Sequence, residues 1–127
     1  MMKYFLSLGS NINAEINLDF AQKELKKILT NIRLSSIHTT KAVGFEGDDF
    51  LNLVMSGESN DSFEEINNKL KSIEDDTGRD RYAPKFSSRT LDIDIILQID
   101  ENEEIVFESD EIQKYNFVSD PLIELIK

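Results

Sequence analysis

Apolar and polar residues alternate along the chain with two periods, one typical of strands and one typical of helices. Residues 3–9 (KYFLSLG) form a short apolar run that ends at the turn residues GSN (9–11), which predicts a strand followed by a turn. From residue 13 to about residue 30, apolar side chains recur with the spacing of one helical face. The positions on that face are Leu18, Ala21, Leu25, Ile28 and Leu29.

The middle of the chain predicts two further strands separated by a loop. IRLSSIHTT (32–40) alternates loosely, as a strand does, whereas KAVGFEGDD (41–49) has no periodicity and predicts a loop. In FLNLVMS (50–56), Phe50 and Asn52 fall on one face of a strand, because successive side chains of a strand point to opposite faces.

The second half of the chain repeats the order of helix and strand. SFEE (62–65) contains a capping box, and the apolar spacing after it predicts an amphipathic helix that ends at Gly78. TLDIDIIL (90–97) alternates strictly from Leu91 to Ile95 and predicts a strand. DENEE (100–104) predicts a turn before a short last strand, and the tail predicts a helical turn after Pro121.

This order of elements predicts a single α+β domain over residues 1–127. Strand, helix, strand, strand, helix and strand, with a small β addition, suggest a ferredoxin-like sandwich. We expect a mostly antiparallel sheet with the helices packed on one face. A chain of 127 residues can bury one core but not two independent ones.

Composition and charge narrow the function classes. No apolar run approaches the roughly 20 residues of a membrane span, and the N-terminus lacks the pattern of a secretory signal. We therefore expect a cytoplasmic protein, and a monomer, with no contact to a membrane. The absence of cysteine excludes disulfides and thiolate chemistry, and a net charge of −11 opposes nucleic-acid binding over most of the surface.

Asp92 and Asp94 are the first candidates for chemistry. Two residues apart on a strand, their carboxylates project from one face, with Cα atoms about 6.5 Å apart. Such a pair suits magnesium, which prefers carboxylates, water and substrate phosphates. The alternative is that both residues only make the outer face of the strand polar, although aspartate is depleted in strands.

A cationic segment precedes the aspartate pair. Arg79, Arg81, Lys85 and Arg89 lie within eleven positions of a chain that has 14 lysines and arginines in all. Arginine binds phosphate oxygens bidentately, so cations beside a dicarboxylate metal site suit a polyphosphate substrate. The alternative is a solvated loop whose arginines pair with surface acids. There is no Gly-rich phosphate loop of either common type.

Aromatic and polar residues elsewhere suggest a site for a planar ring. Phe50 offers an apolar surface beside the Asn52 amide, which both donates and accepts hydrogen bonds, although Phe50 also fits a core position. Phe86 and Phe117 would close over a ligand or belong to the core. Further candidates are Lys71 and Glu74, one helical turn apart, whose alternative role is an exposed ion pair.

Five segments in matching order resemble the hydroxymethyl-dihydropterin pyrophosphokinases of folate biosynthesis. They are LSLGSN (6–11), FLNLV (50–54), IEDDTGR (73–79), SSRTLDIDIIL (87–97) and FVSDPLIEL (117–125). The resemblance implies a ferredoxin-like fold and a requirement for ATP as co-substrate with two Mg²⁺ ions. It also implies transfer of the ATP pyrophosphoryl group to the hydroxymethyl oxygen of 6-hydroxymethyl-7,8-dihydropterin, which releases AMP.

The resemblance also implies roles for individual residues. Asp92 and Asp94 would hold the magnesium ions, and Arg79 and Arg89 would steady the phosphates during catalysis. The pterin would contact Thr40, Val43, Phe50, Asn52, Phe86 and Phe117. The nucleotide side would include Lys71, Glu74, Arg81 and Lys85.

The chain departs from the family pattern near its end. Between Ile105 and Phe117 it is about six residues shorter and lacks a Pro-His segment that helps to bind ATP, and Tyr115 stands where the family usually has arginine. Three hypotheses follow: an active pyrophosphokinase, a catalytically impaired relative that binds a pterin or nucleotide as a module, or an unrelated ferredoxin-like regulatory domain that matches these motifs by chance. The second hypothesis includes assistance to a folate-pathway enzyme as partner.

Overall fold

The computed structural model describes residues 1–42, 44–84 and 87–126. Within these residues the chain forms six strands and four helices. In chain order they are β1 (Met2–Ser10), α1 (Ala14–Leu25), β2 (Thr30–Leu34), β3 (His38–Thr40), β4 (Phe50–Ser59), α2 (Phe63–Asp76), β5 (Asp92–Ile99), β6 (Ile105–Glu108), α3 (Glu111–Lys114) and α4 (Asn116–Ile126).

The strands form one antiparallel sheet, which confirms the predicted α+β class. Its order is β2-β4-β1-β5-β6, and β3 also pairs with β4. Every strand pair in this part of the chain is antiparallel. Strand β1 lies between β4 and β5, so the residues at its C-terminal end have neighbours on both sides.

Helices α1 and α2 cover one face of the sheet, as the sequence predicts. Their buried residues, Leu18, Ala21 and Leu25 of α1 and Ile66 and Leu70 of α2, pack in the larger core cluster. Strand residues of alternate positions, such as Tyr4, Leu6, Leu8, Leu53, Met55, Ile93 and Ile95, complete this core. Helix α2 begins at the capping box that the sequence predicts, with the Ser62 hydroxyl accepting from Glu65 N.

Helix α4 lies on the opposite face, where no helix was expected. Val118, Leu122 and Leu125 pack there against the sheet residues Phe5 and Val54. The helix also begins at Asn116, well before the turn predicted after Pro121. Proline removes one backbone hydrogen bond, and the buried apolar face of α4 offsets that loss.

Further predicted boundaries differ from the structure. Helix α1 ends at Leu25 rather than near residue 30, and Leu29 N still donates to Leu25 O at 3.0 Å in a closing turn. The strand predicted over 32–40 is split into β2 and β3. At Ser35 the backbone N donates to Val54 O, but Val54 N donates to the Ser35 hydroxyl, 2.9 Å in each case. A side-chain acceptor thus replaces the carbonyl of the ladder.

No helix in the described part of the chain is both long enough and apolar enough to cross a membrane.

Candidate active site

A cavity of about 220 Å³ opens on the α4 face at one end of the sheet. Sheet residues form its floor, the loops after β3 and α2 form two sides, and α3 with the start of α4 forms another. The lining residues are Ser7, Gly9, Thr40, Lys41, Phe45, Phe50, Asn52, Arg79, Ser87, Arg89, Asp92, Asp94, Glu111, Tyr115, Phe117 and Val118.

Gly9 forms the centre of the cavity floor. In β1 it pairs with Asn52 of β4 on one side and with Asp92 of β5 on the other. A Cβ atom at Gly9 would lie 2.9 Å from Asn52 Oδ1 and 3.8 Å from Phe50 Cδ1. The missing side chain therefore leaves space between an amide and a carboxylate that stand about two strand spacings, roughly 10 Å, apart.

The side of the cavity beyond Asn52 is aromatic. Asn52 is buried, and its amide donates to Thr40 Oγ1 at 2.7 Å. The Phe45 and Phe50 rings meet edge to face, with centroids 6.5 Å apart. This arrangement supplies an apolar surface with a fixed amide beside it, as a planar heterocycle requires.

A second aromatic pair faces the same cavity from the start of α4. The rings of Tyr115 and Phe117 are stacked, with centroids 4.9 Å apart and planes 22° from parallel. Sequence reasoning identified Phe117 but not the stacking role of Tyr115. The loop residue Phe45 was also missed, because its segment has no periodicity.

The opposite side of the cavity is anionic. Asp92 and Asp94 project from β5 on the cavity face, with side chains 41% and 35% exposed. Partial burial of Asp94, followed by the charges of Asp92 and Glu111, raises the pKa of its carboxyl from 3.8 to about 7. Lys71 reaches to 3.8 Å from Asp94 Oδ1 and lowers the same pKa by a smaller amount.

Two arginines accompany the aspartates. Arg79 is only 13% exposed, and its Nη1 donates to Leu91 O at 2.9 Å and to Asp92 Oδ1 at 3.1 Å. Its Nε is buried with no hydrogen-bond partner among the described residues. Arg89 lines the cavity, and its Nη1 donates to Ser87 Oγ at 2.5 Å.

Ser10, the last residue of β1, and Asn11, directly after it, hold the loops around the cavity. The Ser10 hydroxyl donates to Thr90 O at 2.6 Å, and Asn11 Oδ1 accepts from Arg89 N at 2.8 Å. The Asn11 amide also donates to Asp48 O at 3.0 Å. The sequence predicted a turn at GSN (9–11) and included it in the LSLGSN segment of the family resemblance, but β1 continues through Ser10. Its position at a strand end beside two loops is the signal for this role.

Three residues that were predicted to bind the nucleotide lie on or beside α2 rather than in the cavity lining. They are Lys71, Glu74 and Arg81. Arg81 folds back on the helix, where its Nη1 donates to Glu74 Oε1 at 2.6 Å and its Nη2 donates to Asp75 Oδ1 at 2.8 Å. The hydrogen bond to Glu74 is the main cause of the raised pKa of Arg81. Glu74 itself is fully buried. Of the other predicted residues, Val43, Lys85 and Phe86 lie outside the described residues.

The carboxylate oxygens of Asp92 and Asp94 are ligands of the kind that magnesium prefers. Both residues present hard oxygen ligands on one face of a strand, beside a cavity that is open to a substrate. Among the described residues no group of three or more histidine, cysteine, aspartate or glutamate side chains forms a metal-binding cluster. The remaining ligands would come from water and substrate, as is usual for magnesium.

Comparison with known proteins assigns the chain to a family. The family model described as 7,8-dihydro-6-hydroxymethylpterin-pyrophosphokinase matches residues 5–127. The chain belongs to this family.

Curated relatives carry related names. The 2-amino-4-hydroxy-6-hydroxymethyldihydropteridine pyrophosphokinase of Aquifex aeolicus is 35% identical over 104 residues, which are 80% of this chain and 64% of that protein. The folate synthesis bifunctional proteins of Chlamydia muridarum and Chlamydia caviae are 35% and 37% identical. Each match covers 76% of this chain but only 23% and 24% of those two proteins. The chain thus spans less than two thirds of each relative's length.

Proposed function

We propose that this chain transfers the pyrophosphoryl group of ATP to the hydroxymethyl oxygen of 6-hydroxymethyl-7,8-dihydropterin and releases AMP. The observation that carries the proposal is the row Asn52, Gly9 and Asp92 across three adjacent strands. On one cavity floor, this row would offer a position for a planar ring beside Asn52 and a position for phosphates beside Asp92. Family membership supports the same reaction.

The pterin ring would occupy the aromatic side of the cavity. Phe50 and Phe117 would face the ring, and the Asn52 amide, held by Thr40, would bond its polar edge. Because Gly9 has no side chain, the ring can extend over the floor towards Asp92. The hydroxymethyl group would then point at the anionic side, where the phosphates bind.

The phosphates would bind between the aspartates and the arginines. Asp92 and Asp94 would hold two Mg²⁺ ions, which supply Lewis-acid neutralisation of the ATP phosphates when bound. Arg79 and Arg89 line the same side and would steady the charge that shifts to the departing AMP.

The reaction itself needs positioning more than acid–base chemistry. The hydroxymethyl oxygen forms a bond to the β-phosphorus, the bond from that phosphorus to the oxygen bridging to the α-phosphate breaks, and AMP keeps the bridging oxygen. The hydroxyl proton passes to solvent. Holding the two substrates in line on a rigid floor lowers the barrier by converting a bimolecular encounter into a local step.

The identity of the products tests this reaction class. Incubation of the native chain with ATP, Mg²⁺ and hydroxymethyl-dihydropterin should yield AMP and a pterin product that carries two additional phosphates, in equal amounts by mass spectrometry. Formation of ADP with a singly phosphorylated pterin would instead indicate an ordinary kinase and contradict the proposal.

A relative that binds a pterin without transferring phosphate is the second candidate. The observation in its favour is Arg81, which bonds to α2 and does not line the cavity. This candidate predicts tight pterin binding with no AMP release at saturating ATP and Mg²⁺. Measurable turnover would exclude it.

Several expectations about the whole protein stay predictions. They are a single domain, a monomer, a cytoplasmic location and no binding to nucleic acid. The Chlamydia relatives are named bifunctional folate synthesis proteins, so a second folate-pathway enzyme is the protein partner we would test first.

A further inference from the structure

We infer that Glu74 is a positioning residue that holds the aspartate pair and Arg79 in their places, rather than a contact for the nucleotide. The inference rests on the proposed function, because the proposed function assigns Asp92, Asp94 and Arg79 to phosphate transfer. Glu74 lies on α2 and is 0% exposed, so its carboxylate offers no surface to ATP in this structure.

One carboxylate oxygen of Glu74 bonds the backbone between the two aspartates. Glu74 Oε2 accepts from Ile93 N at 2.7 Å. Strand β6 pairs with β5 only from Leu97 to Ile99, so within the described residues no strand lies beyond Ile93 on that edge. A side chain from a helix therefore takes the place of a neighbouring strand, and it fixes the backbone from which Asp92 and Asp94 project.

The same oxygen also faces the arginine that bonds Asp92. Glu74 Oε2 lies 3.3 Å from Arg79 Nη1, and that nitrogen donates to Asp92 Oδ1 at 3.1 Å. The left-handed backbone of Gly78, with φ of +82°, reverses the chain after α2 and returns Arg79 to the helix end. The Glu74 carboxylate thus holds in place both the β5 backbone that carries the aspartates and the guanidinium group of Arg79.

The second oxygen balances the buried charge. Glu74 Oε1 accepts from Arg81 Nη1 at 2.6 Å and lies 3.5 Å from Lys71 Nζ. Arg81 and Lys71, both expected to bind ATP, are in this structure partners of Glu74. A buried carboxylate with an N–H and two guanidinium partners is stabilised, whereas loss of one partner leaves a charge unpaired.

Steady-state kinetics of Glu74→Gln test the inference. The amide has the same size but only one acceptor oxygen. If that oxygen faces Ile93 N and Arg79, the NH2 group faces the guanidinium of Arg81; if it faces Arg81, the NH2 group faces Ile93 N and Arg79. Either orientation sets donors against donors, so the carboxylate's contacts cannot all be kept. We expect kcat to fall by about 100-fold, with the KM for pterin unchanged and a higher Mg²⁺ concentration at half-maximal rate. A raised KM for ATP with kcat unchanged would make Glu74 a nucleotide contact and overturn the inference.

Asp75→Asn is the matched control. Asp75 is the next residue on α2 and bonds Arg81 at 3.0 Å and 2.8 Å, so this variant loosens Arg81 without removing the acceptor of Ile93. We expect its kcat and its Mg²⁺ dependence to match those of the native chain. An equal loss of kcat in both variants would assign the effect to Arg81 and contradict the inference.

Amide hydrogen exchange supplies a readout that does not depend on activity. In the native chain the Ile93 amide should exchange as slowly as the paired amides of β5, and in Glu74→Ala about tenfold or more faster. A native Ile93 amide that exchanges as fast as exposed loop amides would overturn the inference, even if no Glu74 variant folds. Absence of AMP from the native chain would refute the proposed function while leaving this measurement decisive for Glu74.

Discussion

The floor of the cavity depends on one residue without a side chain. Gly9 lies in a regular strand, so its backbone flexibility is not what matters. It matters because it has no side chain and leaves space in the cavity. The sequence showed the glycine at a strand end, but the registers that place it between Asn52 and Asp92 are long-range and have no local signal.

Gly9→Ala should therefore weaken pterin binding. The new methyl group would lie 2.9 Å from Asn52 Oδ1 and must displace that side chain. Overpacking of this kind costs roughly 1–2 kcal/mol, so we expect pterin affinity to fall by about tenfold. Calorimetric titration of the variant with pterin checks this, with ATP affinity as the internal control. Unchanged pterin affinity would mean that the ring does not lie over this floor.

The ionised carboxylate of Asp94 lowers the stability of the fold when no cation is bound beside it. Its half-buried carboxylate stands near Asp92 and Glu111, and these surroundings raise its pKa. Asp92 differs, because Arg79 donates to it.

Asp94→Asn should stabilise the protein in the presence of a chelator. Solvent screens the charge of a partly exposed group, so the expected gain is modest. At pH 8 we expect the free energy of unfolding to rise by about 1 kcal/mol and Tm to rise by roughly 4 °C. Asp92→Asn is the matched comparison and should not stabilise, because it replaces the charge-assisted hydrogen bond from Arg79 with a weaker neutral one. Thermal denaturation of the three proteins measures the difference. A lower Tm for Asp94→Asn would show that its carboxylate is already compensated.

At the scale of elements, α4 joins the site to the edge of the sheet. Its Glu124 accepts from Ser36 N and from the Ser36 hydroxyl at 2.8 Å each, and bonds His38 Nε2 at 2.5 Å. Arg33 of β2 donates to Leu125 O at 2.9 Å. These contacts hold the helix whose first turn carries Phe117.

The Glu124 contacts predict a pH dependence of stability. Hydrogen bonds from the Ser36 backbone, His38 and the Ser36 hydroxyl lower the pKa of Glu124 from 4.5 to about 2. A lowered pKa means that the stabilisation is present above pH 4.5 and disappears as the pH falls towards 2. The native chain should therefore be more stable than Glu124→Gln at pH 6, and the difference should shrink between pH 4.5 and 2.

Urea unfolding across this range measures the effect. Glu104→Gln, an exposed site in the turn before β6, is the matched control and should follow the native chain at each pH. A constant difference between the native chain and Glu124→Gln down to pH 2 would contradict the assigned cause.

Local patterns predicted the elements that have strong periodicity. The capping box of α2 and the alternation of β5 are local, and both are confirmed. Helix α4 was underestimated because Pro121 is normally a helix breaker, and only its packing on Phe5 and Val54 explains why the helix continues through it.

For the whole molecule, the sequence predicted which side chains meet in the cavity better than how they are held there. The structure brings Phe50, Asn52, Arg79, Asp92 and Phe117 to one cavity, together with Thr40, Arg89 and Asp94. Spacing along the chain cannot show that Glu74 is buried or that Arg81 turns back, since both depend on how α2 packs beside β5. A charged residue on an amphipathic helix looks exposed until its partners are known.

The proposed role of the aspartate pair in pyrophosphoryl transfer can be tested by measuring product. The most direct measurement is AMP formation from ATP, Mg²⁺ and hydroxymethyl-dihydropterin, by the native chain and by the double variant Asp92→Ala with Asp94→Ala. Asp19→Ala, on the exposed side of α1, serves as the matched control. We predict AMP from the native chain and the control, and at least a 100-fold loss in the double variant. Equal AMP formation by all three proteins would show that the aspartate pair does not serve this reaction.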